Sequence, residues 1–141
     1  MRKILFTGLM FAFFGTPSAL NAGEANQMKM TVGNQEFEIA LAQNETAKAF
    51  SEMLPLTVTM SDLHENEKYV YLDNRLPSAP ENVGKISAGD VMLFGDNCLV
   101  VFYKSFQTSY SYTKIGRIIE NTALGTLSEV DSVTAVFTNG D

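Results

Sequence analysis

Apolar and polar residues alternate with a period of two along much of the chain after residue 27. This alternation is typical of β-strands that bury one face and expose the other. It predicts a hairpin in which residues 28–32 and 37–41 are joined by Gly33-Asn34. The same reasoning, helped by β-branched and aromatic residues, predicts further strands at 56–60, 68–72, 91–94, 98–103, 112–119 and 132–138.

Two segments have a helical pattern instead. Residues 45–54 place Ala47, Phe50, Met53 and Leu54 on one face, where Asn44 can cap the first turn and Pro55 ends the helix. Residues 122–127 can form one further helical turn. Many short strands with two helical segments in one domain favour a β-barrel, or a sandwich, with helical caps.

The remaining segments are predicted connections. Polar residues 61–67 are predicted to form a loop. Residues 73–89 contain Pro77, Pro80, Gly84 and Gly89, and are predicted to form a long connection with a short strand near residues 85–86.

The N-terminus has the order of segments found in secretory signal peptides. Arg2 and Lys3 precede an apolar run, Ile4 to Phe14, and small residues follow. The run of about 11 residues is shorter than the ~20 that span a bilayer as a helix. We therefore predict cleavage after Ala22, with Ala25 as the alternative position.

An exported chain would consist of a short flexible leader, residues 23–27, and one domain, residues 28–138. Its destination would be the periplasm or the outside of the cell, without stable membrane insertion. Loss of residues 1–22 removes two basic residues and no acid, which moves the formal charge from −6 to −8. Phosphate backbones require clustered Lys and Arg, so nucleic acid is excluded as a predicted partner.

Candidates for reactive chemistry are few. Cys98 is the only cysteine and lies beside apolar residues, which predicts a buried, unreactive thiol. His64 is the only histidine, and no Gly-x-Ser-x-Gly motif accompanies it. Asp62, His64 and Asn66 alternate as in a calcium loop, but Glu67 stands where that loop needs glycine. A solvated acidic loop is the preferred interpretation, and no metal or cofactor is predicted.

Aromatic residues suggest a binding surface more strongly than a reactive centre. Tyr69 and Tyr71 share one strand face, while Phe102 and Tyr112 lie on other predicted strands. Tyrosine can bury its ring and keep its hydroxyl near water or a partner. These four residues are predicted to line a shallow groove for a peptide or a small molecule.

Several segments resemble the small bacterial and archaeal cyclophilin-like proteins. They occur in the family's order between about Met28 and Phe137, and they are Asn44-Glu45-Thr46-Ala47, Leu54-Pro55, Gly89-Asp90-Val91, Cys98 to Tyr103 and Ile115-Gly116-Arg117-Ile118. The resemblance implies a closed eight-stranded antiparallel barrel with a short helix over each opening.

Cyclophilins proper are peptidyl-prolyl isomerases, and this sequence departs from their catalytic motif. Where they carry Phe-His-Arg, the chain has Tyr69-Val70-Tyr71, and Tyr112 stands where a histidine is expected. Their Gln-Phe-Phe strand is similar to Val100-Val101-Phe102, which lacks the glutamine. Arg75 is the only nearby arginine that could replace the missing donor.

Three hypotheses follow. The first is an exported cyclophilin-like binding protein that takes a peptide or a small molecule in the groove of Tyr69, Tyr71, Phe102 and Tyr112. The alternative is a weak prolyl isomerase that uses Arg75 as its catalytic donor. The third is a structural or assembly role, which predicts a barrel without a ligand-sized cleft. The sequence specifies no oligomeric state.

Overall fold

A computed structural model describes residues 26–120 and 122–140. The predicted signal peptide and most of the predicted leader lie outside the described residues. Within the described part of the chain, no helix has the length and apolarity needed to cross a membrane.

The described residues form eleven strands, one α-helix and one 3₁₀ helix. The helix α1 spans Glu45–Ser51, and the 3₁₀ helix spans Leu124–Glu129. The strands are β1 Gln27–Val32, β2 Gln35–Leu41, β3 Leu56–Leu63, β4 Glu67–Tyr71, β5 Glu81–Asn82, β6 Lys85–Ile86, β7 Asp90–Phe94, β8 Cys98–Phe102, β9 Phe106–Gln107, β10 Ser111–Ile118 and β11 Ser132–Asn139.

Eight of these strands close into an antiparallel barrel. Their order is β2-β1-β11-β3-β4-β8-β7-β10, and β10 pairs back with β2 to complete the circle. Strand β5 pairs with the start of β10, while β6 and β9 form a separate two-stranded ribbon. The predicted closed eight-stranded barrel is therefore confirmed, and the sandwich is excluded. Closure leaves none of these eight strands as a free sheet edge.

The barrel interior is filled by the inward-facing residues that the period-two pattern predicts. The fully buried members include Met30, Ile39, Leu93, Leu99 and Phe137. The helix α1 joins β2 to β3, and the 3₁₀ helix joins β10 to β11 at the opposite end of the barrel. Each short helix thus closes one opening, as the resemblance implies.

The cap of α1 was predicted correctly, and its length was not. Asn44 Oδ1 accepts a hydrogen bond from Ala47 N at 2.7 Å. The helix ends at Ser51 rather than near Leu54, because Met53 N turns back to Phe50 O in a tighter turn. Phe50 packs edge to face on Phe137, with ring centroids 5.6 Å apart.

The predicted loop at residues 61–67 is wrong in its extent. Strand β3 continues to Leu63 and β4 begins at Glu67, so that only residues 64–66 form the turn. The pairs Asp62↔Lys68 and Leu63↔Glu67 extend the ladder through this polar segment. Glu67 therefore belongs to a strand, and its side-chain direction is fixed by the sheet.

A second apolar cluster lies outside the barrel, on the outer face of β7, β8 and β10. Its buried members are Ile86, Met92, Cys98, Val100, Phe102 and Tyr112. Residues of the β6–β9 ribbon, including Phe106, pack against it. Residues on the outer face of a barrel are normally exposed to water. The apolar cluster is buried here because the β6–β9 ribbon covers this part of the sheet.

Replacement of Gly116 by alanine is expected to lower the free energy of unfolding by about 1–3 kcal/mol. A Cβ at this position would lie 2.6 Å from Ala40 O and 2.9 Å from Ile39 Cγ2, where β10 meets β2 to close the barrel. Urea denaturation followed by circular dichroism measures the loss. Gly125→Ala is the matched control, because a Cβ there meets nothing within 4 Å. Equal stability of the two variants would contradict the close approach.

Candidate functional site

A cavity of about 570 Å³ lies on the outer face of the barrel, over the second apolar cluster. We call it the tyrosine cavity. Its volume falls in the range of small-molecule sites. One wall consists of outward-facing residues of the barrel sheet, namely Glu67, Tyr69, Tyr71, Phe94, Cys98, Val100 and Tyr112. The other wall is the segment 106–110, and the rim is formed by Leu63 at the end of β3 and by His64 and Asn66 in the turn that follows.

The structure brings together three of the four predicted groove residues. Tyr69, Tyr71 and Tyr112 all line the tyrosine cavity. Phe102 lies beneath this surface rather than on it, because its ring is fully buried in the second cluster. The Phe102 ring supports the cavity from below: its centroid lies 5.5 Å from that of Tyr112 and 5.7 Å from that of Phe106.

The aromatic rings of the cavity contact one another edge to face or at a tilt. Tyr69 and Tyr71 have ring centroids 6.0 Å apart, and Phe94 lies 6.0 Å from Tyr110 and 5.6 Å from Tyr112. Tyr71 and Tyr110 are 65% and 63% exposed. Edge-to-face packing fixes the orientation of the rings. The ring faces at the opening of the tyrosine cavity are therefore exposed in a fixed position, where a ligand can contact them.

Glu67 is the one acidic residue among the described residues that line the tyrosine cavity. It is only 9% exposed, and its carboxylate makes no hydrogen bond or ion pair with any other described residue. Burial and, to a smaller extent, the nearby charge of Asp62 raise the pKa of Glu67 to about 7. A carboxyl group that titrates near neutrality therefore faces the cavity.

Asp62 anchors the rim of the cavity from inside the barrel. Lys68, 1% exposed, points inward and donates from Nζ to Asp62 Oδ1 at 2.9 Å and to the Val130 carbonyl oxygen. The Tyr103 hydroxyl also donates to Asp62 Oδ1, and Oδ2 accepts from Glu65 N at 2.9 Å. The 64–66 turn is thus tied to a partly buried ion pair in which Lys68 is the buried partner. His64 and Glu65 both have positive φ, 57° and 58°, which is the left-handed backbone conformation found in tight turns.

Burial affects the other ionisable groups of this region in the same direction. Burial and, to a smaller extent, the Glu67 charge raise the pKa of Cys98 to about 11. The thiol is buried and protonated, as predicted from its apolar surroundings. Burial and Glu67 also raise the pKa of Tyr112, against a hydrogen bond with Thr108. These groups are neutral in the cavity at physiological pH.

The predicted isomerase donor lies elsewhere. The Arg75 side chain is 85% exposed, its Nε lies 3.6 Å from Asp96 Oδ2, and it is not among the lining residues of the tyrosine cavity. His64 lines the rim, and the described residues contain no group of three or more His, Cys, Asp or Glu side chains placed to hold a metal.

Sequence reasoning missed Glu67 and the second wall. Glu67 was assigned to a polar loop, although its spacing of two from Tyr69 and of four from Tyr71 places all three on one strand face. The segment 106–110 lies between two predicted strands, 98–103 and 112–119, and no structure was predicted for it. It instead folds over the sheet, where β9 pairs with β6 and Thr108 N donates to Gly84 O at 3.0 Å. No local pattern encodes that long-range pairing.

Comparisons with known proteins agree with this architecture. A solution structure described as the "hypothetical protein AF2241 from Archaeoglobus fulgidus" has a similar fold, with a TM-score of 0.57 and 20% sequence identity. The match covers 84% of this chain and 97% of that one. No curated protein matches the chain.

The family comparison extends over most of the domain. The profile of the cyclophilin-like family matches residues 30–137, which include all eight barrel strands at least in part. The chain belongs to the cyclophilin-like family.

Proposed function

We propose that this protein is an exported binding protein of the cyclophilin-like family, which takes a small ligand or a peptide side chain into the tyrosine cavity. The observation that carries the proposal is the exposure of Tyr71 and Tyr110 at the mouth of a cavity of about 570 Å³. Exposed aromatic rings around a concave surface are typical of ligand sites.

The aromatic rings and the ionisable groups of the tyrosine cavity support ligand binding rather than catalysis. Tyr112 is buried to 5% exposure and is held by Phe102 and Phe94, while Tyr71 remains open to solvent. Cys98 is protonated, and the Arg75 guanidinium lies outside the cavity. The ligand would therefore meet a preformed aromatic surface, with polar groups of Gln107, Thr108 and Ser109 on the facing wall. The predicted signal peptide supports a site of action outside the cytoplasm.

Titration with 2-phenylethanol, a neutral aromatic probe, tests the proposed site. Backbone amide NMR should show shifts that cluster on β4, β8, β10 and the segment 106–110. Tyr71→Ala should weaken binding by about fivefold to tenfold, because one exposed aromatic contact is worth about 1 kcal/mol. This substitution leaves the second apolar cluster intact, since Tyr71 is not one of its members.

Ile119→Ala is the matched control, because Ile119 is an exposed apolar side chain outside the lining of the cavity. It should leave the affinity unchanged. Shifts scattered over the surface, or equal affinities in Tyr71→Ala and wild type, would refute the site assignment.

A further inference from the structure

The Glu67 carboxyl group is an unusual feature in a cavity lined by aromatic rings. It is more than nine-tenths buried, faces the cavity, and has no hydrogen-bonding or charged partner among the described residues. Buried carboxylates are normally paired, because an unpaired charge loses its hydration without compensation. A ligand that supplies the missing donor would resolve this deficit.

The charge around the cavity favours one sign of ligand. The described residues that line it include Glu67 and neither lysine nor arginine. The one ammonium group close in sequence, that of Lys68, points into the barrel and is already bound by Asp62. The whole chain is acidic, with a formal charge of −6. An anion would meet Glu67 without any compensating cation, whereas a cation would meet an acceptor.

The aromatic rings provide a second, independent reason for a cation. The faces of tyrosine and phenylalanine rings carry negative potential and attract ammonium groups within about 6 Å. Tyr69, Tyr71, Tyr110 and Phe94 surround the opening in edge-to-face pairs. In an edge-to-face pair, the edge of one ring covers one face of the other ring, and the remaining ring faces stay uncovered by the pair. The combination of such faces with one buried carboxylate is the chemistry that recognises amines.

We propose that the tyrosine cavity binds a small organic amine in its ammonium form, with the charged nitrogen at Glu67 and the apolar body against Tyr69, Tyr71 and Tyr112. This inference rests on the proposed function and adds the chemical class of the ligand. The volume of about 570 Å³ is of the size that takes a free small molecule.

Three probes with the same phenyl body and different charge test the inference. They are 2-phenylethylammonium, neutral 2-phenylethanol and anionic phenylacetate, titrated at about pH 8, where Glu67 is largely ionised. The cation should bind at least about tenfold more tightly than the neutral probe, and the anion more weakly than either. Glu67→Gln should bring the cation and the neutral probe to within about twofold of one another, while Glu38→Gln, on an exposed strand position, should preserve the difference.

The outcomes separate this inference from the proposed function. Equal affinity of the cation and the neutral probe, with shifts in the cavity, would overturn the amine and leave the binding site standing. No cavity shifts with any of the three probes would overturn both. If the Glu67→Gln variant still binds the cation more tightly than the neutral probe, the preference comes from the general negative charge of the chain, and the inference is wrong. N-acetyl-lysine-N-methylamide represents a lysine side chain within a peptide. If it binds more tightly than 2-phenylethylammonium, the ligand is a peptide and the proposal of a free small amine is wrong.

Discussion

Replacement of Asp62 by asparagine should lower the free energy of unfolding by about 3 kcal/mol, the lower end of the cost of removing one partner of a buried ion pair, because Lys68 is buried and Asp62 is partly exposed. The Lys68 ammonium would remain 1% exposed without its counter-ion, which now lies 2.9 Å away. Asparagine keeps one acceptor oxygen, but its amide nitrogen cannot accept the hydrogen bond from Glu65 N. Urea denaturation at neutral pH measures the difference.

The pKa of Asp62 provides a second measurement on the same residue. Burial alone would raise this pKa, but the hydrogen bonds from Tyr103, Lys68 and Glu65 outweigh it and hold the pKa below its usual value of 3.8. The stabilisation from Asp62 is therefore complete above that value and is lost as the pH falls through the folded-state pKa. Asp62→Asn should abolish this acidic loss of stability.

Asp73→Asn is the matched control, because Asp73 is exposed and its side chain has no hydrogen bond within the described residues. Its effect should stay within about 0.5 kcal/mol. If Asp62→Asn costs no more than this control, the Lys68 ion pair contributes nothing measurable, and the anchoring of the 64–66 turn must come from the backbone alone.

The sequence was sufficient for the eight barrel strands and for most of their faces, but not for β5 and β9. Period-two alternation in β1, β2 and β11 places Met30, Phe37 and Phe137 in the core, where the structure has them. Gly33-Asn34 fixes the first hairpin, and Gly33 adopts the positive φ of 59° that such turns require. These features depend on neighbours within a few residues, so local patterns can predict them.

Features that depend on distant residues could not be predicted in this way. Lys68 looks like an ordinary exposed strand lysine, and only the pairing of β3 with β4 turns it inward to Asp62. The polar composition of residues 61–67 suggested a loop, because a buried ion pair and a loop have the same residue types. The barrel closure between β2 and β10 came from the family resemblance, not from periodicity.

Replacement of Glu67 by glutamine should stabilise the protein by up to about 3 kcal/mol at neutral and higher pH, and should change little below pH 4.5. Burial and the charge of Asp62 raise the pKa of Glu67 from 4.5 to about 7 in the folded protein. The unfolded chain therefore loses this proton first, and stability falls as the pH rises from 4.5 to about 7. At about 1.4 kcal/mol per pH unit, the loss is at most about 3 kcal/mol, and solvent at the open side of the cavity reduces it. Urea denaturation across this interval measures it.

The prediction separates Glu67 from the charged groups that surround it. The ionisable groups around this carboxyl are Asp62 on β3, His64 in the turn, Cys98 on β8, Tyr103 after β8 and Tyr112 on β10. Asp62 acts below pH 3.8 with the opposite sign, and the Cys98 thiol titrates near 11. The exposed Glu38→Gln variant should retain the wild-type profile between 4.5 and 7. Parallel profiles of Glu67→Gln and wild type would instead mean that water or a turn group compensates the carboxylate.

Since Asp62 raises the pKa of Glu67, Asp62→Asn should also move the wild-type decline to lower pH, which links the anchor of the rim to the charge of the cavity.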